Sequence, residues 1–592
     1  MKNPRFSLPF RPFAFLPFLF SLSLLLFLPA CATPATPPLT PSPISNPSTA
    51  LSTGLESPTS TPLLPPTETP LPTATPFVSP YPWWNSTVWY EVFVRSFADS
   101  TTGPLACDGI GDLQGLIENL DYLNDGDPTT DTDLGVTGIW LMPVMASPTY
   151  HGYDVTDYYT IEPDYGTNED FKRLIEEAHQ RGIKVIIDLV LNHTSNQHPW
   201  FRESTKPGSD YRDWYIWSEG KNPGYAGPLG VAWHPFLEDY YYGVFWSGMP
   251  DLNYTNPDVS AEINNVIRFW LEDMGADGYR LDAIKYLIEE GEKQESTEST
   301  HAWLRDFYTY YKSINPEAFT VGEIWSASVA VVKYLGDQVD SAFHFDLASS
   351  VLDAANLGKR LRVDSQMTQT LRLFPPNTYA TFLTNHDQAR VLSVLGDFGE
   401  ARTAAMMLLS QPGIPFIYYG EEIGMTGSGP DENKRTPMQW SAEKYAGFSE
   451  CWPWQPVNKD FSEINVAAQQ QDPDSLWSLY RTLIALRNDY PALMVGDYIK
   501  VDSDSQEVYT FIRQIPGQTI LVAINLNRVA ISDYGITLEN LPFSGKVRAT
   551  DLLGGMEISQ PVLDEAGQIT GYKPLNELPP RLGLIILLES GE

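Results

Sequence analysis

Three cysteines in 592 residues exclude a disulfide framework. Cys31 closes an apolar N-terminal stretch and suits a separate use, while Cys107 and Cys451 can pair only if the fold brings them together. Basic side chains are scarce as well: 38 Lys and Arg face 74 Asp and Glu, for a formal charge of -36. So acidic a chain repels nucleic acid and anionic membrane, which leaves a neutral or cationic substrate. The eight histidines include no H-x-x-x-H pair, so a histidine-held metal is not expected. What the chain has in quantity is aromatic surface, with 16 Trp and 31 Tyr. Flat amphipathic rings stack on sugar faces, and they also fill ordinary cores.

Lys2, Arg5 and Arg11 precede an apolar run from Phe13 to Leu28 that ends Leu28-Pro29-Ala30-Cys31. This is the layout of a secretory signal over residues 1–30, too short and too broken by proline for a spanning helix. A small residue before cysteine resembles a bacterial lipoprotein cleavage box. Lipidation of Cys31 would attach the protein to a membrane and place it outside the cell or in its envelope. Pro29 departs from that box, leaving ordinary signal cleavage or an uncleaved anchor as alternatives. Residues 31–82 are Pro, Thr, Ser and little else, without hydrophobic period. They read as a semi-rigid tether that cannot bury enough apolar surface to offset its ordering entropy.

From Trp83 onward short apolar runs alternate with amphipathic stretches. Eight runs read as strands: VWYEVFVRSF, VTGIWLMPV, KVIIDLVLNH, DGYRLDAI, FTVGEIW, SAFHFDL, YATFLTNHD and IPFIYYGEE. Segments such as NEDFKRLIEEAHQRG carry a helical period between them, and Gly182 fits a helix stop. Eight β-then-α units whose strands are apolar throughout predict an α/β fold, a TIM (β/α)8 barrel over residues 83–490. The stretch 193–250 is too long for an ordinary loop and reads as a domain inserted after the third strand. Residues 491–592 alternate in the manner of an antiparallel β-sandwich.

Active sites of such barrels lie where the strands end. The polar residues there are Asp188, Asn192 and His193 after the third strand, Arg280 and Asp282 on the fourth, Glu323 on the fifth, and His386 and Asp387 after the seventh. In an extended YRLDA, Arg280 and Asp282 share one face, and the guanidinium favours an ionised, oriented carboxylate. Taken alone, that pair reads equally as a structural ion pair.

In order along the chain, DLVLNH, GYRLDAIK, GEIW and FLTNHD resemble the four signatures of the α-amylase family of glycoside hydrolases, family 13. MPDLN at 249–253 resembles its short signature near the end of the inserted domain. The nearest likeness is to bacterial secreted or lipoprotein amylases lying between the oligo-1,6-glucosidase and neopullulanase groups. The resemblance implies Asp282 as nucleophile, Glu323 as general acid/base and Asp387 as transition-state stabiliser. It also implies sugar contacts from Tyr153, His151, His193, Arg280 and His386, with Lys285 and Tyr286 on the leaving-group side. The implied reaction is retaining cleavage of α-1,4 bonds in starch, glycogen and maltooligosaccharides. Oligo-1,6-glucosidase, cyclomaltodextrinase, neopullulanase and transglycosylase activities share the rim and stay open, and KRTPMQW at 434–440 resembles the small-substrate glucosidases and trehalose-forming enzymes. A non-catalytic glycan-binding protein on the same fold would have lost one of the three carboxylates.

The family further implies structural calcium. One loop would use Asp99, Asp108, the Ile110 carbonyl and Asp112, although the TTGPLAC insert departs from the usual acidic pattern. A second site would pair Asn192 with a carboxylate of the inserted domain that the sequence does not single out.

Overall fold

The computed structural model describes residues 77–591. The signal, Cys31 and nearly all of the tether lie outside the described residues. Each of the eight apolar runs contains one parallel strand: β1 (Trp89–Val92), β2 (Gly138–Leu141), β3 (Lys184–Leu189), β4 (Gly278–Leu281), β5 (Phe319–Gly322), β6 (Ser341–Phe343), β7 (Tyr379–Thr381) and β8 (Ile414–Tyr418). They close in sequential order, with β1 paired to both β2 and β8. The strands are shorter than the apolar runs, because the chain leaves the ladder early; after β1 it turns directly into a helical turn at Val94–Phe97.

Alternation along the strands sorts the barrel interior into layers. Trp89, Trp140, Ile186, Phe319, Phe343 and Phe416 pack together as one apolar cluster. Two residues further along the same strand faces come Glu91 after Trp89 and Asp188 after Ile186, and Arg280 stands in register with Asp188. The polar layer therefore caps the apolar one at the C-terminal end. Gly278 starts β4 at φ 152°, where a Cβ would fall 1.9 Å from the Phe319 carbonyl oxygen, so only glycine allows β4 this close to β5.

The helix Asn168–Gln180 shows how the outer layer is built. Thr167 caps it reciprocally with Asp170, and Phe171, Leu174, Ile175 and Ala178 form its buried stripe. Gly182 follows with left-handed backbone at φ 75° and ends it. The insertion after β3 carries a short helix, Pro199–Ser204, and a three-stranded antiparallel sheet ordered Trp217–Ser218, Asp239–Tyr242, Trp233–Phe236. His193 and Asp251 pair where the inserted segment leaves and rejoins the barrel.

Beyond the helix Leu476–Asp489, a five-stranded antiparallel sheet faces a three-stranded one. Val508, Ile512, Leu521, Ile536, Leu538, Ile569 and Ile586 form a separate core there. Cys107 and Cys451 form a disulfide across 344 residues. It joins the loop after β1 to the loop after β8, a proximity that only the closed barrel creates.

Candidate active site

Arg280 is fully buried at the centre of the polar layer. Its Nη1 donates to both oxygens of Asp188 and to Asp282 Oδ1, each at 2.8 Å, and its Nη2 donates to Glu323 Oε2. One guanidinium thus serves three carboxyl groups from three neighbouring strands. Ala283 takes a left-handed backbone at φ 44°, ψ 35°, at a cost of roughly 1–2 kcal/mol for a non-glycine residue. That turn directs its N–H to Glu323 Oε2 at 3.3 Å, so the strained residue links the end of β4 to the carboxyl at the end of β5.

Burial raises the Glu323 carboxyl to about 7, against the pull of Arg280. Burial also raises Asp282, to about 6, although Arg280 acts to lower it. Arg280 favours the ionised form of Asp282, as expected, but does not outweigh burial: the guanidinium is shared, and Asp188 and Asp387 add negative charge nearby. Both carboxyls are held above the ordinary carboxylate range, which suits Glu323 as a proton donor. Asp387 behaves oppositely. Burial works against its charge, but His386 and Arg435 outweigh burial and hold it below the ordinary carboxylate range. Arg435 Nη2 donates to Asp387 Oδ1 at 2.9 Å, and His386 Nε2 lies 3.4 Å from Oδ2.

Behind these groups runs a buried relay. The Tyr153 hydroxyl donates to Asp188 Oδ2 at 2.9 Å, and so accepts from His386 Nε2 at 2.7 Å. His386 Nδ1 sits 2.5 Å from Glu91 Oε1. Donation from both ring nitrogens would make His386 an imidazolium. Burial opposes that charge, yet Asp387 and Glu91 raise the group above its usual value. His193 is the reverse case: burial pushes it down to about 3, and its Nε2 donates to the Tyr153 carbonyl at 3.1 Å. His151 accepts the Tyr153 N–H on Nδ1 at 3.1 Å and meets the Thr149 hydroxyl on Nε2 at 2.9 Å. The Tyr153 ring stacks against both His151 and His386.

Two cavities open on this rim. The first, about 320 Å³, is lined by His151, Tyr153, His193, Trp246, Asp282 and Asp387. The second, about 390 Å³, is lined by Glu323, Lys285, Tyr286 and Trp325. Phe245 and Asp387 border both. On the second side Lys285 donates to the Trp325 carbonyl at 3.1 Å and pairs with Glu295 at 2.9 Å, while Tyr286 meets the Phe245 ring edge-on.

Residues 91–496 match the profile of the alpha amylase catalytic domain. The chain belongs to the α-amylase family of glycoside hydrolases. Alpha-amylase 3 of Dictyoglomus thermophilum is 38% identical over 478 residues, covering 80% of this chain and 89% of that protein. An oligo-1,6-glucosidase of Parageobacillus thermoglucosidasius is 34% identical over 523 residues, covering 75% and 90%. Among solved structures, the alpha-amylase from H. orenii superposes with a TM-score of 0.74 at 40% identity, covering 85% of this chain and 99% of that one.

The first of the two calcium loops that membership in the α-amylase family suggests does not fit an ion here. Asp99 accepts the N–H groups of Cys107 and Gly109 and the Ser449 hydroxyl. Asp112 accepts from Ser100 and caps the helix Leu113–Glu118 through the Gly115 N–H. Asp108 accepts the Ile110 N–H. Protein donors take both oxygens of Asp99 and Asp112 and one oxygen of Asp108, and among the described residues no group of three His, Cys, Asp or Glu gathers for a metal. The second place does fit. Asn192 Oδ1, Asp251 Oδ2 and Glu289 Oε1 are buried without a hydrogen-bond partner. Burial and the proximity of Glu289 push Asp251 well above the carboxylate range, and burial raises Glu289 to about 7. Buried oxygens without donors are what a hard cation needs, and Asp251, one residue past the expected end of the insertion, would be the carboxylate beside Asn192.

Glu91 and Arg435 are site residues that motif reading passed over. Glu91 lies inside an apolar strand, 295 residues from His386, and Arg435 lies in KRTPMQW, whose likeness to the small-substrate enzymes assigns it no role. A charged residue inside an otherwise apolar barrel strand was the available signal for Glu91.

Proposed function

We propose that this family 13 glycoside hydrolase is a retaining α-amylase, with Asp282 as nucleophile, Glu323 as acid/base and Asp387 as the stabilising carboxylate. The observation that carries the reading is geometric: the buried Arg280 guanidinium holds both Asp282, at 2.8 Å, and Glu323, and these two carboxyls line cavities that Asp387 borders. A retaining glycosidase needs such a pair, one carboxyl ionised to attack and one protonated to donate. Asp282 attacks the anomeric carbon as Glu323 protonates the departing glycosidic oxygen, leaving a covalent glycosyl-enzyme. Glu323, now ionised, takes a proton from water, which attacks the same carbon and releases the α-anomer. Asp387 stays charged throughout and offsets the positive charge of the oxocarbenium-like transition state.

The α-1,4 preference is supported by the 38% identity to Alpha-amylase 3 and the 40% identity to the alpha-amylase from H. orenii. The Cys107–Cys451 disulfide supports export, since such bonds persist in oxidising compartments, and export with lipidation at Cys31 suits an enzyme that meets polymeric glucan outside the cell. Calcium at Asn192, Asp251 and Glu289 would supply a structural link between the inserted segment and the barrel. Chelator should then lower the melting temperature and added calcium restore it. A specific observation favours α-1,6 or small-substrate activity as the second reading: Arg435 of KRTPMQW lines the cavity of Asp282 beside Asp431. The test is separate incubation with soluble starch, cyclodextrin, pullulan and isomaltose, products being resolved by size and by anomer. An α-configured maltooligosaccharide ladder from starch upholds the reading; glucose from isomaltose replaces it with oligo-1,6-glucosidase, and an initial β-anomer overturns the retaining mechanism.

A further inference from the structure

Arg435 reaches Asp387 with a long, flexible side chain, and that chain is held at both ends. At the guanidinium, Nε donates to the His386 carbonyl at 3.2 Å beside the Nη2 contact to Asp387, and the Tyr150 ring centroid lies 5.9 Å away. At the backbone, the fully buried Ser96 donates its hydroxyl to the Arg435 carbonyl at 2.5 Å, and the Ser96 carbonyl accepts the Met438 N–H at 2.8 Å. One residue supports both ends. Trp454 donates its indole N–H to Ser96 Oγ at 3.1 Å, and its ring stacks on Tyr150 with centroids 5.3 Å apart and planes 26° from parallel. A hydroxyl that accepts from Trp454 keeps its own proton for Arg435, so the indole also sets the direction of Ser96.

Trp454 in turn is fixed by the disulfide region. It lies three residues past Cys451, and its backbone N–H donates at 2.8 Å to the carbonyl of Gly109, two residues past Cys107. The loops after β1 and β8 are thus pinned together twice, by the disulfide and by this bond. Gly109 takes φ 86°, and a Cβ there would fall 1.9 Å from the Trp452 carbonyl oxygen, so a side chain at that position would push the two loops apart. Arg95, paired with Asp164 at 2.5 Å, places its guanidinium 5.8 Å from the Trp454 ring centroid.

We propose that Trp454 is a positioning residue for Asp387: the Cys107–Cys451 clamp sets Trp454, Trp454 sets Ser96 and Tyr150, and these hold Arg435 against the stabilising carboxylate. The role of Asp387 in it rests on the α-amylase reading above. A carboxylate that offsets charge in the transition state acts through its placement, and a displacement of about 1 Å can cost 10²-fold in rate. Turnover then depends on the oxidation state of two sulfurs that line neither cavity.

The test separates turnover from binding and from folding. Trp454→Ala should lower kcat on starch roughly tenfold while KM changes less than about twofold, because the loss falls on the transition state. Trp454→Phe keeps a ring on Tyr150 and gives up the N–H, so it should recover part of that loss, and Ser96→Ala should lower kcat by about three- to tenfold. Dithiothreitol breaks the S–S bond, leaves two thiols on the protein and closes to its own cyclic disulfide. The reduced enzyme, still folded by far-ultraviolet circular dichroism, should lose kcat with KM held, and reoxidation should restore it. An unchanged kcat in Trp454→Ala, with only the melting temperature lowered, would overturn the proposal. So would a raised KM at unchanged kcat, which makes the tryptophan a binding residue. Full turnover in the folded, reduced enzyme would remove the disulfide from the chain of contacts. Should Trp454→Ala not fold, Trp454→Phe and the reduced native enzyme carry the same comparison. If the native enzyme cleaves isomaltose and not starch, the α-amylase reading fails, and the same kcat ratios taken on isomaltose still decide the role of Trp454.

Discussion

Two buried acidic clusters lie at the C-terminal ends of barrel strands, and they differ in what faces the carboxyl groups. At β3, β4 and β5, Asp188, Asp282 and Glu323 share the guanidinium of Arg280, and Asp282 and Glu323 open onto cavities. Just past β8, Glu421 and Glu422 are equally buried but meet tyrosines: Glu422 accepts from Tyr90 at 2.8 Å and Tyr122 at 2.6 Å, and Glu421 from Tyr480 at 2.8 Å. The nearby Arg390 donates to the carbonyls of Lys434 and Tyr419. Burial raises Glu421 to about 8 and Glu422 above its usual value. The phenols favour the charge of these carboxyls less than burial opposes it, whereas the Arg280 guanidinium works against burial at Asp282 and Glu323 in a site that opens onto cavities. The guanidinium-held cluster is the one from which a proton can be passed.

The largest effects should come from breaking the first cluster. Asp282→Asn and Glu323→Gln should each lower kcat on starch by roughly 10⁴-fold with the far-ultraviolet circular dichroism unchanged; retention of more than a few percent of the rate would remove that residue from its role. Arg280→Lys should cost about 10²-fold, since a point ammonium cannot reproduce a fork that binds three carboxyls. Native kcat/KM should follow a narrow bell, falling below about pH 6 as Asp282 takes a proton and above about pH 7 as Glu323 loses one. Glu91→Gln should lower kcat/KM by about tenfold, most at the alkaline end, because His386 then gives up its proton at lower pH. Glu91→Asp should recover part of the loss.

The second cluster should respond in stability alone. A carboxyl whose folded value lies near 8 stabilises the fold fully below its unfolded value of about 4.3, and that contribution is lost as pH rises towards 8. Glu421→Gln should therefore raise the melting temperature at pH 8 by roughly 2–5 °C, with a smaller gain at pH 5 and unchanged turnover. An activity loss there would erase the distinction between the two clusters.

The barrel was legible because parallel strands buried on both faces leave an apolar run that neither helices nor loops imitate at this spacing. Asp282, Glu323 and Asp387 were legible because each directly follows such a run or its short extension, within a signature. What could not be read were partnerships made by closure. Glu91 meets His386 only because β1 and β7 face one interior, Cys107 meets Cys451 only across the β1–β8 seam, and Asp251 meets Asn192 only where the inserted segment returns. The acidic loop shows a related limit: Asp99 and Asp112 look like ligands in one dimension, and in three they also accept hydrogen bonds from the protein. The charge state of Asp282 depended on how many carboxyls share Arg280, a number that the triplet Arg280-Leu281-Asp282 does not contain.

The disulfide has a topological consequence. Residues 107 to 451 form one covalent ring, and Asp282, Glu323, Asp387 and the entire insertion lie inside it. Protease cleavage at an exposed tip of the insertion, for example near Leu237, which is 91% exposed, would open the ring without separating the pieces. Both halves of the catalytic rim would remain on a single molecule, to be parted only by a reductant.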